Sequence, residues 1–84
     1  VIAAESRARA LAAVLLPGAR LAVYRHAEGW RVTTQWHRGP ECLAYRTFAT
    51  APTEAAAWEH AAADLGVQAT RLRSRLDAAL RGAL

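Results

Sequence analysis

The stretch that most constrains this chain is Trp30-Arg31-Val32-Thr33-Thr34-Gln35-Trp36-His37. Its even positions carry Trp30, Val32, Thr34 and Trp36, and its odd positions carry Arg31, Thr33, Gln35 and His37. A two-residue period with one mostly apolar side is the signature of a half-buried strand, and a 3.6-residue helix would scatter the same residues around its circumference. Two indoles on one side can each bury a large area. The stretch therefore predicts the central strand of a small sheet, covered on the tryptophan side.

The flanking segments predict what pairs with it and what covers it. Ala3 to Leu16 is filled with residues of high helix propensity, with Leu11, Val14, Leu15, Ala8 and Ala4 on one face. Glu5 suits the positive end of that helix and can pair with Arg9, while Arg7 and Arg9 are expected on a solvated face. Pro17-Gly18 stops the helix. Arg20 to His26 predicts the first strand, with Leu21 and Val23 on one face and Ala22, Tyr24 and His26 on the other. Ala27-Glu28-Gly29 makes a short turn into the central strand. Arg38-Gly39-Pro40-Glu41 makes a second turn, and Cys42 to Phe48 predicts the third strand. There Leu43 and Tyr45 oppose Ala44, Arg46 and Phe48, and the pattern leaves open which set faces the core.

Thr50 to Leu65 predicts a second helix, with Thr50 as N-cap, Pro52 in the first turn and Ala51, Ala55, Trp58, Ala62 and Leu65 as its stripe. Gly66 is expected to end it, with Val67 making an apolar contact beyond. Gln68 to about Arg81 predicts a third helix, with Leu72, Leu76, Ala79, Leu80 and Ala83 on one side. The expected fold is one α+β domain spanning residues 1–84 in the order α-β-β-β-α-α. It is a three-stranded antiparallel meander with helices on one face.

Length and charge narrow the function. A chain of 84 residues has room for one core, and its thin stability margin makes a homo-oligomer a reasonable expectation. All 11 basic residues are arginine, and with the abundant alanine this fits a GC-rich bacterial coding bias. That bias does not set the balance of base over acid, and a net charge of +4 favours a nucleic acid, DNA first, or an acidic protein as partner. The single Cys42 excludes an internal disulfide and fits a reducing cytoplasm. No apolar run reaches the roughly 18 residues of a membrane span, and Val1 to Glu5 carries no secretory pattern.

Ala62, Gly66, Val67 and Leu72 resemble the key positions of a helix-turn-helix: a small residue at the crossing, a glycine at the turn, then apolar residues returning to the core. The resemblance, over about 52–82, implies a second helix presenting Gln68, Thr70, Arg71, Arg73 and Arg75 to DNA, groups suited to phosphates and base edges. Arg75 departs from it, standing where that family has an apolar residue. Arg31 and Arg46 are expected as a second basic patch on the open sheet face, beside Thr33, Gln35 and His37. The α-β-β-β-α order also looks like the double-stranded-RNA-binding fold, but Ala51-Pro52-Thr53-Glu54 replaces the lysine-rich helix start on which that family relies.

His26, His37, Cys42 and His60 lack metal-ligand spacing, and no paired carboxylates or phosphate loop stand out. The sequence therefore predicts a non-enzyme without cofactor or metal. It is expected to be a DNA-binding or regulatory protein, or alternatively an interaction module that dimerises through its C-terminal amphipathic helix.

Overall fold

The computed structural model describes residues 3–37 and 43–83. It contains α1 (Ala3–Leu15), β1 (Arg20–His26), β2 (Gly29–His37), β3 (Leu43–Thr47) and α2 (Glu54–Ala83). The strands form one antiparallel sheet in the order β1-β2-β3, as the alternating pattern predicts. The expected turn Arg38-Gly39-Pro40-Glu41 and Cys42 lie outside the described residues.

The register settles which residues share a face, because directly paired residues project to the same side. Leu21 pairs with Thr34, Val23 with Val32, and Arg25 with Trp30. Across the other edge of β2, Thr34 pairs with Arg46 and Trp36 with Ala44. Val32 and Thr34 are fully buried, Leu21 and Phe48 nearly so, and Trp30 and Trp36 are half-buried. The even side of β2 is thus the covered side, as predicted. The ambiguity in the third strand resolves toward the Arg46 and Phe48 side.

A second device extends the sheet beyond β3. The Phe48 amide donates to the Val32 carbonyl at 3.0 Å, and Trp30 and Ala51 exchange backbone hydrogen bonds of 2.7 and 2.8 Å. Gly29, at φ 136°, makes that bridge possible, since a Cβ there would stand 2.5 Å from the Ala51 carbonyl oxygen. The hairpin turn and the approach to α2 are therefore locked together.

The C-terminal region corrects the sequence reading. Residues 54–83 form one helix of 30 residues, where two helices separated at Gly66 were expected. Gly66 keeps a helical backbone without positive φ. A glycine inside a helix costs only about 1 kcal/mol relative to alanine. Local bonds bridge the position: the Thr70 hydroxyl donates to the Gly66 carbonyl at 3.1 Å, and the Gln68 amide donates to Asp64 at 2.8 Å. The N-cap also shifts. Thr53 accepts the Ala56 amide at 3.1 Å, while Thr50 accepts from Arg31.

Packing gives some of the alanines a role. Ala4, Ala8 and Ala12 form the buried row of α1, and Ala57 and Ala61 are fully buried on α2. Small residues at four-residue spacing let two helices approach closely. Leu11 and Leu15 pack at the margin of the core, and Val14, expected in the stripe, is 75% exposed. The fully buried Trp58 anchors α2, together with Leu65. Arg9 is exposed and pairs with Glu5, both as expected, and it also makes contacts the sequence did not suggest. Its guanidinium lies 4.9 Å from the Trp58 ring centroid, pairs with Glu5 at 3.0 Å, and donates to the Leu21 carbonyl on edge strand β1 at 3.0 Å.

Candidate interaction surface

The C-terminal half of α2 outruns its support. A helix of 30 residues is about 45 Å long, and its last buried residue is Leu65. Every residue from Thr70 to Ala83 is exposed. Along this projecting half the four-residue row continues as Leu72, Leu76 and Leu80, which are 36%, 55% and 65% exposed. Leu72, Leu76 and Leu80 border an open groove of about 610 Å³ whose opposite wall is Leu11, Val14 and Leu15 of α1. Arg7, Arg73 and Asp77 also line it.

The charges of α2 divide at the same place. Glu54, Glu59 and Asp64 precede Gly66 with no arginine among them, whereas Arg71, Arg73, Arg75 and Arg81 follow it with only Asp77. Arg71 and Arg75 meet Arg46 of β3 around a concavity of about 770 Å³ on another side of the helix. Its wall also includes Gln68, Thr70 and Ser74.

The seven arginine, glutamine and threonine positions singled out for nucleic acid thus separate into three settings. Arg46, Gln68, Thr70, Arg71 and Arg75 come together at the concavity. Of these, Gln68 is bonded to Asp64, the Thr70 hydroxyl to its own helix, and Arg46 to Asp64 at 3.5 Å. Arg73 lies in the apolar groove. Arg31 belongs to the opposite face of the sheet, paired with Tyr24 and donating to Thr50 at 3.1 and 2.9 Å.

Two expectations are corrected here. Arg31 and Arg46 do not share a patch, because odd and even positions of β2 and its partners face opposite ways. Residues 52–82 do not form a helix-turn-helix, because no turn separates two helices and no second helix is angled away from the first. The open face of the sheet carries Tyr24 and Gln35, joined by a 2.7 Å hydrogen bond, with Arg31 beside them. Thr33, expected there as an exposed group, is buried in the middle strand between its partners Ala22 and Thr47.

Sequence reasoning missed the role of Arg9 and the docking of Thr50 with Arg31. It located the Leu72-Leu76-Leu80 ridge. No group of three His, Cys, Asp or Glu side chains among the described residues is placed to hold a metal ion. Of the four residues weighed for a metal, Cys42 and the His37 side chain lie outside the described residues. No described helix is long and apolar enough to cross a membrane. Comparison of the chain with protein-family models, curated proteins and solved structures finds no match.

Proposed function

We propose that this protein is a non-enzymatic interaction module whose working surface is the projecting half of α2 together with the groove it forms with α1. The observation that carries this reading is the row Leu72-Leu76-Leu80, which stays exposed along one wall of the groove facing α1. Contiguous exposed apolar surface is costly to leave in solvent and marks interaction sites. A ridge at four-residue spacing facing a groove suits helix-in-groove recognition, in which an amphipathic helix lays its apolar face between two others. Photo-cross-linking in the source cells tests the reading. A photoreactive residue at position 76 is expected to give a discrete protein adduct, and one at position 31 is not. Absence of any adduct at 76, including one with the protein itself, overturns it.

A second reading is favoured by the gathering of Arg46, Arg71 and Arg75 around one concavity, on the arginine-rich half of α2. It is binding of a nucleic acid through phosphate contacts. Such contacts release counterions, so affinity falls steeply with salt. A mobility-shift titration at rising ionic strength is expected to show binding strongest at low salt and weakened in Arg71→Ala/Arg75→Ala. No shift at low salt removes this reading.

A further inference from the structure

We infer that the open face of the sheet is a platform for single-stranded nucleic acid, on which a base stacks against the ring of Tyr24 while Arg31 and Arg20 meet the phosphates to either side. This surface lies across the sheet from both the groove and the arginine concavity, so the inference goes beyond the two readings above. Two observations carry it.

The first is the pose of Tyr24. The register pairs Tyr24 with Arg31, Ala22 with Thr33, and Arg20 with Gln35. Tyr24 and Gln35 therefore stand four residues apart along the strands, which is about 13 Å. Two side chains standing straight off the sheet cannot meet across that distance. Gln35 nonetheless donates from Nε2 to the Tyr24 hydroxyl at 2.7 Å. The ring thus reclines along the sheet, over Ala22 and Thr33 between the two. This accounts for Thr33 being only 6% exposed at the centre of an uncovered face, while Tyr24 itself is 43% exposed. One flat side of the ring rests on small side chains, and the other is turned to water. A ring fixed in this way has already lost the freedom that stacking would cost it, and every base has a flat face to lay on it.

The second is charge. Arg31 stands beside Tyr24, and Arg20 lies toward the far end of the ring, opposite Gln35. The Thr50 hydroxyl holds the Arg31 guanidinium at 3.1 and 2.9 Å, and this neutral partner leaves its charge uncompensated. Among the described residues no carboxylate belongs to this face. Glu28 is in the β1–β2 turn, and the others lie on α1 and α2, which pack against the opposite side. An acidic protein would answer the charge and leave the ring unused. A duplex would answer the charge with its bases stacked away inside. An unpaired strand offers phosphates and free base faces together.

The experiment is a fluorescence anisotropy titration of the full chain into labelled oligothymidylate at low salt, with the same strand annealed to oligoadenylate as the duplex. The single strand is expected to bind about tenfold more tightly than the duplex. Tyr24→Leu keeps an apolar cover over Thr33 and removes the aromatic face. It is expected to raise the dissociation constant about tenfold, whereas Tyr24→Phe, which keeps the ring, is expected to raise it by about threefold at most. Arg31→Ala is expected to weaken binding and to lower the slope of log affinity against log salt by about 0.7, the share of one phosphate on a single strand. Arg71→Ala/Arg75→Ala, in the concavity, is expected to bind the single strand like the parent chain.

Circular dichroism is expected to show Tyr24→Leu folded, since the residue is exposed. Should it unfold, the salt slope of Arg31→Ala provides the test in its place, and an unchanged slope overturns the inference. No binding at low salt, equal binding of strand and duplex, or full affinity in folded Tyr24→Leu also overturns it. If Arg71→Ala/Arg75→Ala loses binding and Tyr24→Leu does not, the inference falls and the nucleic acid belongs to the concavity.

Discussion

The two halves of α2 are built from similar material and end in opposite situations. Residues 54–66 and residues 67–83 are both alanine-rich, and both carry an apolar row at helical spacing. In the first half that row is Ala57, Trp58, Ala61, Ala62 and Leu65, all buried under β2 and α1. In the second it is Leu72, Leu76 and Leu80, and all three are exposed. The difference does not lie in the helix. It lies in the cover, because a 13-residue α1 and a three-stranded sheet cannot span 30 residues of α2. An amphipathic pattern thus states that a face is meant to be covered, and the rest of the chain decides whether the cover is internal.

The comparison breaks most visibly at Trp58. Replacing this fully buried indole by alanine is expected to cost about 3–5 kcal/mol, seen as a collapse of the urea midpoint. The matched change in the other half, Leu76→Ala, is expected to alter the stability of the isolated chain by less than about 0.5 kcal/mol. Equal losses at the two sites would show that the far half is covered within one chain.

A subtler test lies in the middle of β2. Thr34 is fully buried, and its hydroxyl has no hydrogen-bond partner among the described residues. Thr34→Val keeps the shape and removes the unpaired group, so it is expected to stabilise by about 1 kcal/mol in denaturant titration. A loss instead would mean that the hydroxyl is satisfied in solution. The smallest expected effect sits at the junction of the halves. Nothing lies within 4 Å of a Cβ built on Gly66, and its backbone is helical. Gly66→Ala is expected to raise stability by about 0.5–1 kcal/mol. A turn at that position would make the same change destabilising.

Much of this layout was legible in the sequence, for identifiable reasons. The sheet was readable because Trp30 to Trp36 alternates cleanly and the β1–β2 turn is short, so parity alone separates its two faces. The ridge Leu72-Leu76-Leu80 was readable from spacing. The single helix was not, because Gly66 followed by Val67 is also the signature of a helix end. Gly66 in fact keeps a helical φ inside α2, which a glycine tolerates at a cost of about 1 kcal/mol relative to alanine. Thr50 and Thr53 are equally good caps on composition, and only the Trp30–Ala51 bridge, which holds Thr50 beside Arg31, assigns the role to Thr53. Arg46 was misplaced because a five-residue strand with apolar residues at both parities has no face of its own until its pairing with β2 is known.

The contact between Gly29 and Ala51 reaches further than its size suggests. It fixes the root of a rod about 45 Å long, so a tilt there of about 5° would swing the far tip by about 4 Å, roughly the separation of two packed side chains. A methyl group at Gly29 would therefore act as misalignment at a distance. The leucines at the other end of the molecule would be carried out of aim.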